Sequence, residues 1–374
     1  MILVIKLFIL FINILYVFFK IIPSQRKITM LSRQSNYPSK DFLMIEERIK
    51  AIDHNIKVVK LCRTLDGGIN SSLLSKIKYG FHTLLQMYHI ATSKVVVLDS
   101  YCIVISVLRH KKNLKIIQIW HSMGTMKKFG YAALDTEEGT KSEIAYIMKM
   151  HNNYDYVFAS ADSYKEHLAN GFHIDKDKII TMPLPRLDLL KSQRYKEKTQ
   201  SLVYKAYPML KEKPVIMYCP TFRKNEMEFE KALERLIKCI DFDKYNFVVK
   251  LHPLSKVILK EDIIQAKEFS SFDMLFVADY VISDYSCIIY EAAVLNIPLY
   301  FYNFDMNLYL KERGLAIDYY KELPGVISKN PEEIFESIED KPYDMNALQR
   351  FKEKYIFETE NATENIAKFI LSLI

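Results

Sequence analysis

Two histidines and a handful of polar residues stand where short apolar runs of this chain stop. "IIQIW" is followed by His121-Ser122-Met123-Gly124-Thr125 and then Lys127-Lys128, and "VIMYC" by Pro220-Thr221-Phe222-Arg223. "FVVKL" leads to His252-Pro253, and "YVIS" to Asp284-Tyr285-Ser286-Cys287. A histidine can take or give a proton near neutral pH, and an arginine offers a forked contact to phosphate oxygens. Asp284 or Ser286 is expected to cap a helix starting at Ser286, whose free amides and dipole favour a diphosphate. Glu291, one and a half turns into that helix, can accept from ribose hydroxyls. Any one of these residues has an ordinary structural explanation; several at successive strand ends make a candidate site.

The elements that would position them alternate. Apolar, β-rich runs occur at 27–31, 56–61, 95–98, 116–120, 156–159 and 178–182, with helical spacing between them. A second series follows at 215–219, 246–250, 280–283 and 299–302, and the tail from Pro331 reads as helices. Such alternation implies βαβ units on parallel sheets, whose ligands gather at the carboxyl ends of the strands. The expected fold class is α/β, with two Rossmann-like domains facing across a cleft. The expected division is a hydrophobic helix at 1–22, an N-terminal domain at 25–190, a second domain at 201–345 and C-terminal helices at 346–374. The Pro-marked, charged segment 183–200 is the expected connection.

Composition narrows the function. The 374 residues are 50% hydrophobic and 13% aromatic, enough for two sizeable cores. The net charge of +7 is scattered and carries no nucleic-acid signature. No Cys-x-x-Cys pair occurs, which fits a reducing cytoplasmic setting. Phosphate-loop, dinucleotide, serine-elbow and metalloprotease motifs are missing, and no acidic cluster asks for a metal or other cofactor. The opening "MILVIKLFILFINILYVFFKII" has only Lys6, Asn13 and Lys20 as strongly polar residues, spaced by seven on one side of a helix. That pattern suits a helix in the plane of a membrane, with its lysines at the head groups; packing on the protein's own core and spanning the membrane are the alternatives.

The blocks "IIQIWHSMGTMKKFGY", "MPLPRLD", "MYCPTFR", "VVKLHP", "ADYVISDYSCIIYEAAVLNIPLYFYNFD" and "RGLAIDYYKELPG" resemble, in order, those of the CDP-glycerol glycerophosphotransferase family, teichoic acid primases above all. The resemblance implies a GT-B type fold and transfer of a polyol phosphate, glycerol phosphate first, from CDP-glycerol with release of CMP. The acceptor it implies is a ManNAc-GlcNAc-diphospho-undecaprenol type lipid at the cytoplasmic face of the cell membrane, with other teichoic acid enzymes as partners. By matching position, His121 and His252 are the catalytic histidines, and Arg223, Thr221, Ser286 and Cys287 hold the donor diphosphate. Glu291 and Asp284 lie on the nucleotide side; Gly124, Lys127 and Lys128 lie on the acceptor side. Ser122 and Cys287 depart from the family pattern, which has a small residue and a second serine there. A polyol-phosphate polymerase, a UDP-sugar transferase and a catalytically silent membrane module are the alternatives.

Overall fold

A computed structural model describes residues 2–64, 72–260 and 263–374. Among the described residues eleven strands form two sheets, every pair parallel. The first has the order β2 (Lys57–Cys62), β1 (Lys27–Ser32), β3 (Val95–Leu98), β4 (Lys115–Gln118), β5 (Tyr156–Ala159), β6 (Ile179–Thr181). The second has the order β11 (Ile327–Ser328), β10 (Leu299–Tyr302), β9 (Tyr280–Ser283), β7 (Val215–Cys219), β8 (Asn246–Val249). Runs such as Val95–Leu98 and Val215–Cys219 are buried along their whole length. Continuous apolar strands of this kind belong to sheets covered on both faces. The ten expected strands are all present; the two-residue β11 was too short to show a period.

The chain separates into two compact units. One comprises residues 1–121, 128–186 and 359–374; the other comprises 122–127 and 187–358. The crossing between units at 186/187 lies in the charged segment 183–200 read as the connection, which forms helices Arg186–Lys191 and Gln193–Ala206, the second burying Thr199 and Val203 and donating from Gln200 to the Phe276 carbonyl. The units differ from the expected division in two places. The C-terminal helices part company. Helix Met345–Tyr355 stacks Phe351 on Tyr290 in the second unit, whereas helix Ala362–Ser372 buries Ile366, Ala367 and Ile370 in the first. The latter packs against α2 (Lys40–Ile52), whose Phe42, Ile45 and Ile49 form one apolar stripe behind the Ser39 cap. Full burial of such side chains contributes about 1.5–3 kcal/mol each, which holds the tail on the first sheet. The second difference, residues 122–127, bears on the site.

Helix α1 (Ile2–Ile21) buries only Ile12 and Tyr16; Met1, the first residue of the expected helix, lies outside the described residues. Tyr16 bonds His110 through its hydroxyl, at 3.0 Å. By length and composition α1 could cross a membrane, yet its polar stripe is bonded to the first unit through Asn13 and Lys20.

Candidate functional site

In the first unit, the end of β4 is built to present a histidine. Gln118 is fully buried; its amide oxygen accepts from the Trp120 N–H (2.9 Å) and its nitrogen donates to the Ser100 carbonyl (3.2 Å). That bracing holds Trp120 at φ +63°, a left-handed conformation costing a bulky residue about 1–3 kcal/mol. The indole packs on Phe129 (4.6 Å) and Phe172 (5.2 Å), which offsets the strain. The turn sets the His121 ring against the Asp99 carbonyl, 3.1 Å from Nδ1, with the Gln34 amide 3.3 Å from the same nitrogen. The Asp99 carbonyl only accepts and the Gln34 amide nitrogen only donates, so the two favour different tautomers; the shorter Asp99 contact favours hydrogen on Nδ1 and a lone pair on Nε2. Burial pushes the imidazole down to about 4, assisted by the Arg186 guanidinium, so His121 is neutral at physiological pH. Arg186 is itself fixed by Asp41, which accepts from its backbone N–H (2.9 Å) and from Nε and Nη2 (3.0 and 2.5 Å).

In the second unit three neighbouring strands, β9, β7 and β8, end side by side and bring their polar caps together. Asp284 lies at the centre, with no exposure. It accepts from the Thr221 N–H (2.9 Å), the Tyr285 N–H and Arg223 Nη1 (2.7 Å). The rest of the guanidinium is clamped by Asp305 at 2.8 and 3.0 Å and lies over the rings of Tyr285, Phe304 and Tyr309. Arg223 therefore turns its fork to two carboxylates rather than to open space. Asp284 is no helix cap: helix Ile288–Val294 starts later than expected, with Cys287 at the N-cap position and no side-chain cap bond.

Beside this network stands Lys127. Its ammonium lies 3.4 Å from Thr221 Oγ1 and 5.7 Å over the Tyr309 ring. Burial pushes it down to about 8, against the pull of Cys287 and Asp284. His252 is exposed at the end of β8, its ring 5.3 Å from Phe222. The Leu254 N–H donates to its Nδ1 (3.2 Å), so in the neutral ring Nε2 carries the hydrogen. Burial of part of the ring, then the charge of Lys127, lowers its pKa. The two histidines thus have opposite tautomers: His121 offers a lone pair, His252 an N–H.

Residues 14–372 match the family described as CDP-glycerol:poly(glycerophosphate) glycerophosphotransferase. The chain belongs to that family. It is 30% identical over 360 residues to a teichoic acid ribitol-phosphate primase of Bacillus spizizenii, covering 93% of this chain and 91% of that one. It is 29% identical over 306 residues to a teichoic acid glycerol-phosphate primase of Bacillus subtilis, covering 79% and 78%. Among solved structures, that of the wall teichoic acid polymerase TagF is similar with a TM-score of 0.74, at 18% identity and coverage of 96% of this chain and 92% of that one. This is a transferase of the glycerophosphotransferase family with two Rossmann-like units of the GT-B type.

The structure gathers Thr221, Arg223, His252, Asp284, Ser286, Cys287 and Glu291 in the second unit, and places His121 in the first. Gly124 and Lys127, expected on the acceptor side, belong to the second unit. The chain contributes residues 122–127 there, with Ala316 N–H bonded to the Met126 carbonyl (2.8 Å), and returns at the exposed Lys128. The two departures from the family pattern are neighbours: the Cys287 thiol faces the Ser122 side chain, the Met126 backbone and Lys127. Ser286 is half-buried, whereas Glu291 is 3% exposed and close to Cys287. Among the described residues no group of three or more His, Cys, Asp or Glu is arranged to hold a metal. Sequence reasoning passed over Asp305, Lys250, Gln118 and Arg186. Asp305 was legible by the same rule as the others, since "NFD" follows β10 directly. Lys250 donates to the carbonyls of Gln265, Ala266 and Phe269 and fixes the loop behind His252; a lysine ending a strand gives no such signal.

Proposed function

We propose that this protein is a primase-type transferase. It moves a polyol phosphate, glycerol phosphate from CDP-glycerol in the first instance, onto a lipid-linked saccharide acceptor and releases CMP. The observation that carries the reading is the pair of opposite tautomers within a chain of this family. Nε2 of His121 accepts the proton of the attacking acceptor hydroxyl, which then attacks the polyol-bearing phosphorus. Nε2–H of His252 donates to an oxygen of the diphosphate, where charge builds as CMP departs. Lys127, the Thr221 hydroxyl and the backbone at Ser286 and Cys287 hold the diphosphate, and Arg223 keeps Asp284 and Thr221 in place beneath it. Most of the acceleration then comes from positioning and electrostatics, as in other phosphoryl transfers. By sequence, a match over 91% of a primase's length, against 44% of a polymerase relative's, supports primase over polymerase. Helix α1, with its exposed apolar face, puts the enzyme on the membrane surface where a lipid-linked acceptor would be met.

A second donor has a specific observation behind it: the relative that covers 93% of this chain is a ribitol-phosphate primase. Purified protein given CDP-glycerol or CDP-ribitol with a lipid-linked disaccharide analogue decides between them. Acceptor-dependent CMP release with one donor and a product heavier by one polyol phosphate is the expected result. No CMP from either donor, or UDP release from a UDP-sugar, would overturn the proposal.

A further inference from the structure

The polar stripe of α1 does more than tie the helix down. Between it and the segment around Val107–Arg109 runs a groove of about 370 Å³ whose rim carries Lys6, Lys20, Arg109 and Lys149. Asn13 fixes its floor, donating to the Val107 carbonyl (3.0 Å) and accepting from the Arg109 N–H (3.1 Å). Lys20 donates to the Arg109 carbonyl at 3.0 Å. Leu10, Ile14 and Val17 form the apolar wall, and none of the described residues lining the groove is acidic. The remainder of α1 exposes Leu3, Val4, Leu7, Phe11, Phe18 and Ile21, each more than half accessible. Packed against α1 is α3 (Leu73–Ala91), which exposes Leu73, Leu74, Ile77 and Phe81. Neither helix contains a carboxylate.

We propose that this groove binds the phosphodiester head group of an anionic glycerophospholipid, while the apolar side chains of α1 and α3 enter the interfacial layer around it. Four cations converge on a concave site beside greasy surface, with no opposing charge in either helix. That is the complement of an anionic phosphate attached to acyl chains, and of neither a neutral surface nor an acidic protein. The bonds from Asn13 and Lys20 keep α1 along the surface of the protein, so both helices lie in the interface. The proposal deepens the membrane placement above and rests on it, but it does not depend on the transfer reaction.

The test uses full-length protein sedimented with vesicles of phosphatidylcholine alone or with about 30 mol % phosphatidylglycerol. It compares the wild type with a Lys6→Glu/Arg109→Glu variant, both positions being exposed and outside the site above. CMP release onto a soluble acceptor analogue is followed in parallel. The expected result is a preference of about tenfold or more for anionic vesicles, lost in the variant, with soluble turnover unchanged. Soluble glycerol phosphate should not compete. Equal binding to both vesicles overturns the anionic head-group proposal and leaves membrane placement standing. Full preference retained in the variant removes the groove as the site, and competition by glycerol phosphate makes it a free-phosphate site. Failure to bind either vesicle overturns the membrane placement as well, and lost soluble turnover with intact binding counts against the transferase reading alone.

Discussion

Replacing Arg223 by methionine should separate a structural cation from a substrate contact. The guanidinium joins Asp284, which has no exposure, to Asp305, at side-chain exposures of 9% and 5% for Arg223 and Asp305. Removing it leaves two buried carboxylates without their counter-charge, at a cost of about 3–5 kcal/mol. In a unit of this size that corresponds to a fall in Tm of about 6–20 °C. Arg223→Met/Asp305→Asn removes one of the two stranded charges and keeps the Asp284 bonds to the Thr221 and Tyr285 amides. The double variant should regain at least half of the lost stability, a coupling of roughly 2 kcal/mol in a double-mutant cycle. Thermal unfolding and donor KM are measured on the same samples. If Arg223 acts through Asp284 and Thr221, the double variant has a donor KM within about threefold of wild type. Recovered stability with a donor KM raised about 100-fold or more would mean that the guanidinium binds the diphosphate itself, and would refute the reasoning.

Lys127→Met should raise donor KM by about tenfold or more with little change in Tm. In the wild type, donor affinity should fall as pH rises through about 8, where the ammonium loses its proton; an unchanged alkaline limb in Lys127→Met would contradict this. Cys287→Ser alone places a hydroxyl against the Ser122 side chain, whereas Ser122→Gly/Cys287→Ser restores the pairing common in the family. The double variant should be at least as active as wild type, and an additive loss in CMP-release assays would show that the two positions are independent. Stability should fall on acidification. Burial depresses His89, His110 and His121 to about 4 and His151 to about 3; with partly exposed His89 screened by solvent, the unfolded chain below about 6.5 binds at least three protons that the folded one refuses. Asp99, raised to about 6, has the opposite sign and cancels one of them. The net slope is about two protons, or ~3 kcal/mol per pH unit near pH 5, readable from urea midpoints; a flat profile from pH 7 to 5 would contradict it.

The strands were legible because runs such as Val95–Leu98 are buried on both faces and show uninterrupted apolar character. The polar caps were legible because each follows such a run directly. What the sequence hid is which partner each cap chooses. Arg223 and Asp284 are 61 residues apart in the chain, and only the order β9-β7-β8 makes them a pair facing inward rather than two ligands facing out. Residues 122–127 continue a first-sheet strand, so periodicity assigns them to the first unit. Their place in the second is set by the Met126–Ala316 hydrogen bond and the Lys127–Thr221 contact, which connect positions far apart in sequence. The tail is helical as read, but its division between the units was hidden for a similar reason, since an apolar helical stripe shows that a face is buried and not which sheet covers it. Helix α1 gave away its polar stripe at a spacing of seven, but not that Asn13 would bond backbone groups near residue 108.

Asparagine at position 121 isolates the base from its scaffold. Its side-chain amide can donate to the Asp99 carbonyl as Nδ1–H does, but it presents no lone pair able to take a proton. Single-turnover CMP release by His121→Asn, with bound CDP-glycerol measured alongside, should show chemistry slowed by about 100-fold or more and donor affinity within about threefold of wild type. Chemistry at close to the wild-type rate would remove His121 as the base, and with it the proposed division of labour between the two histidines.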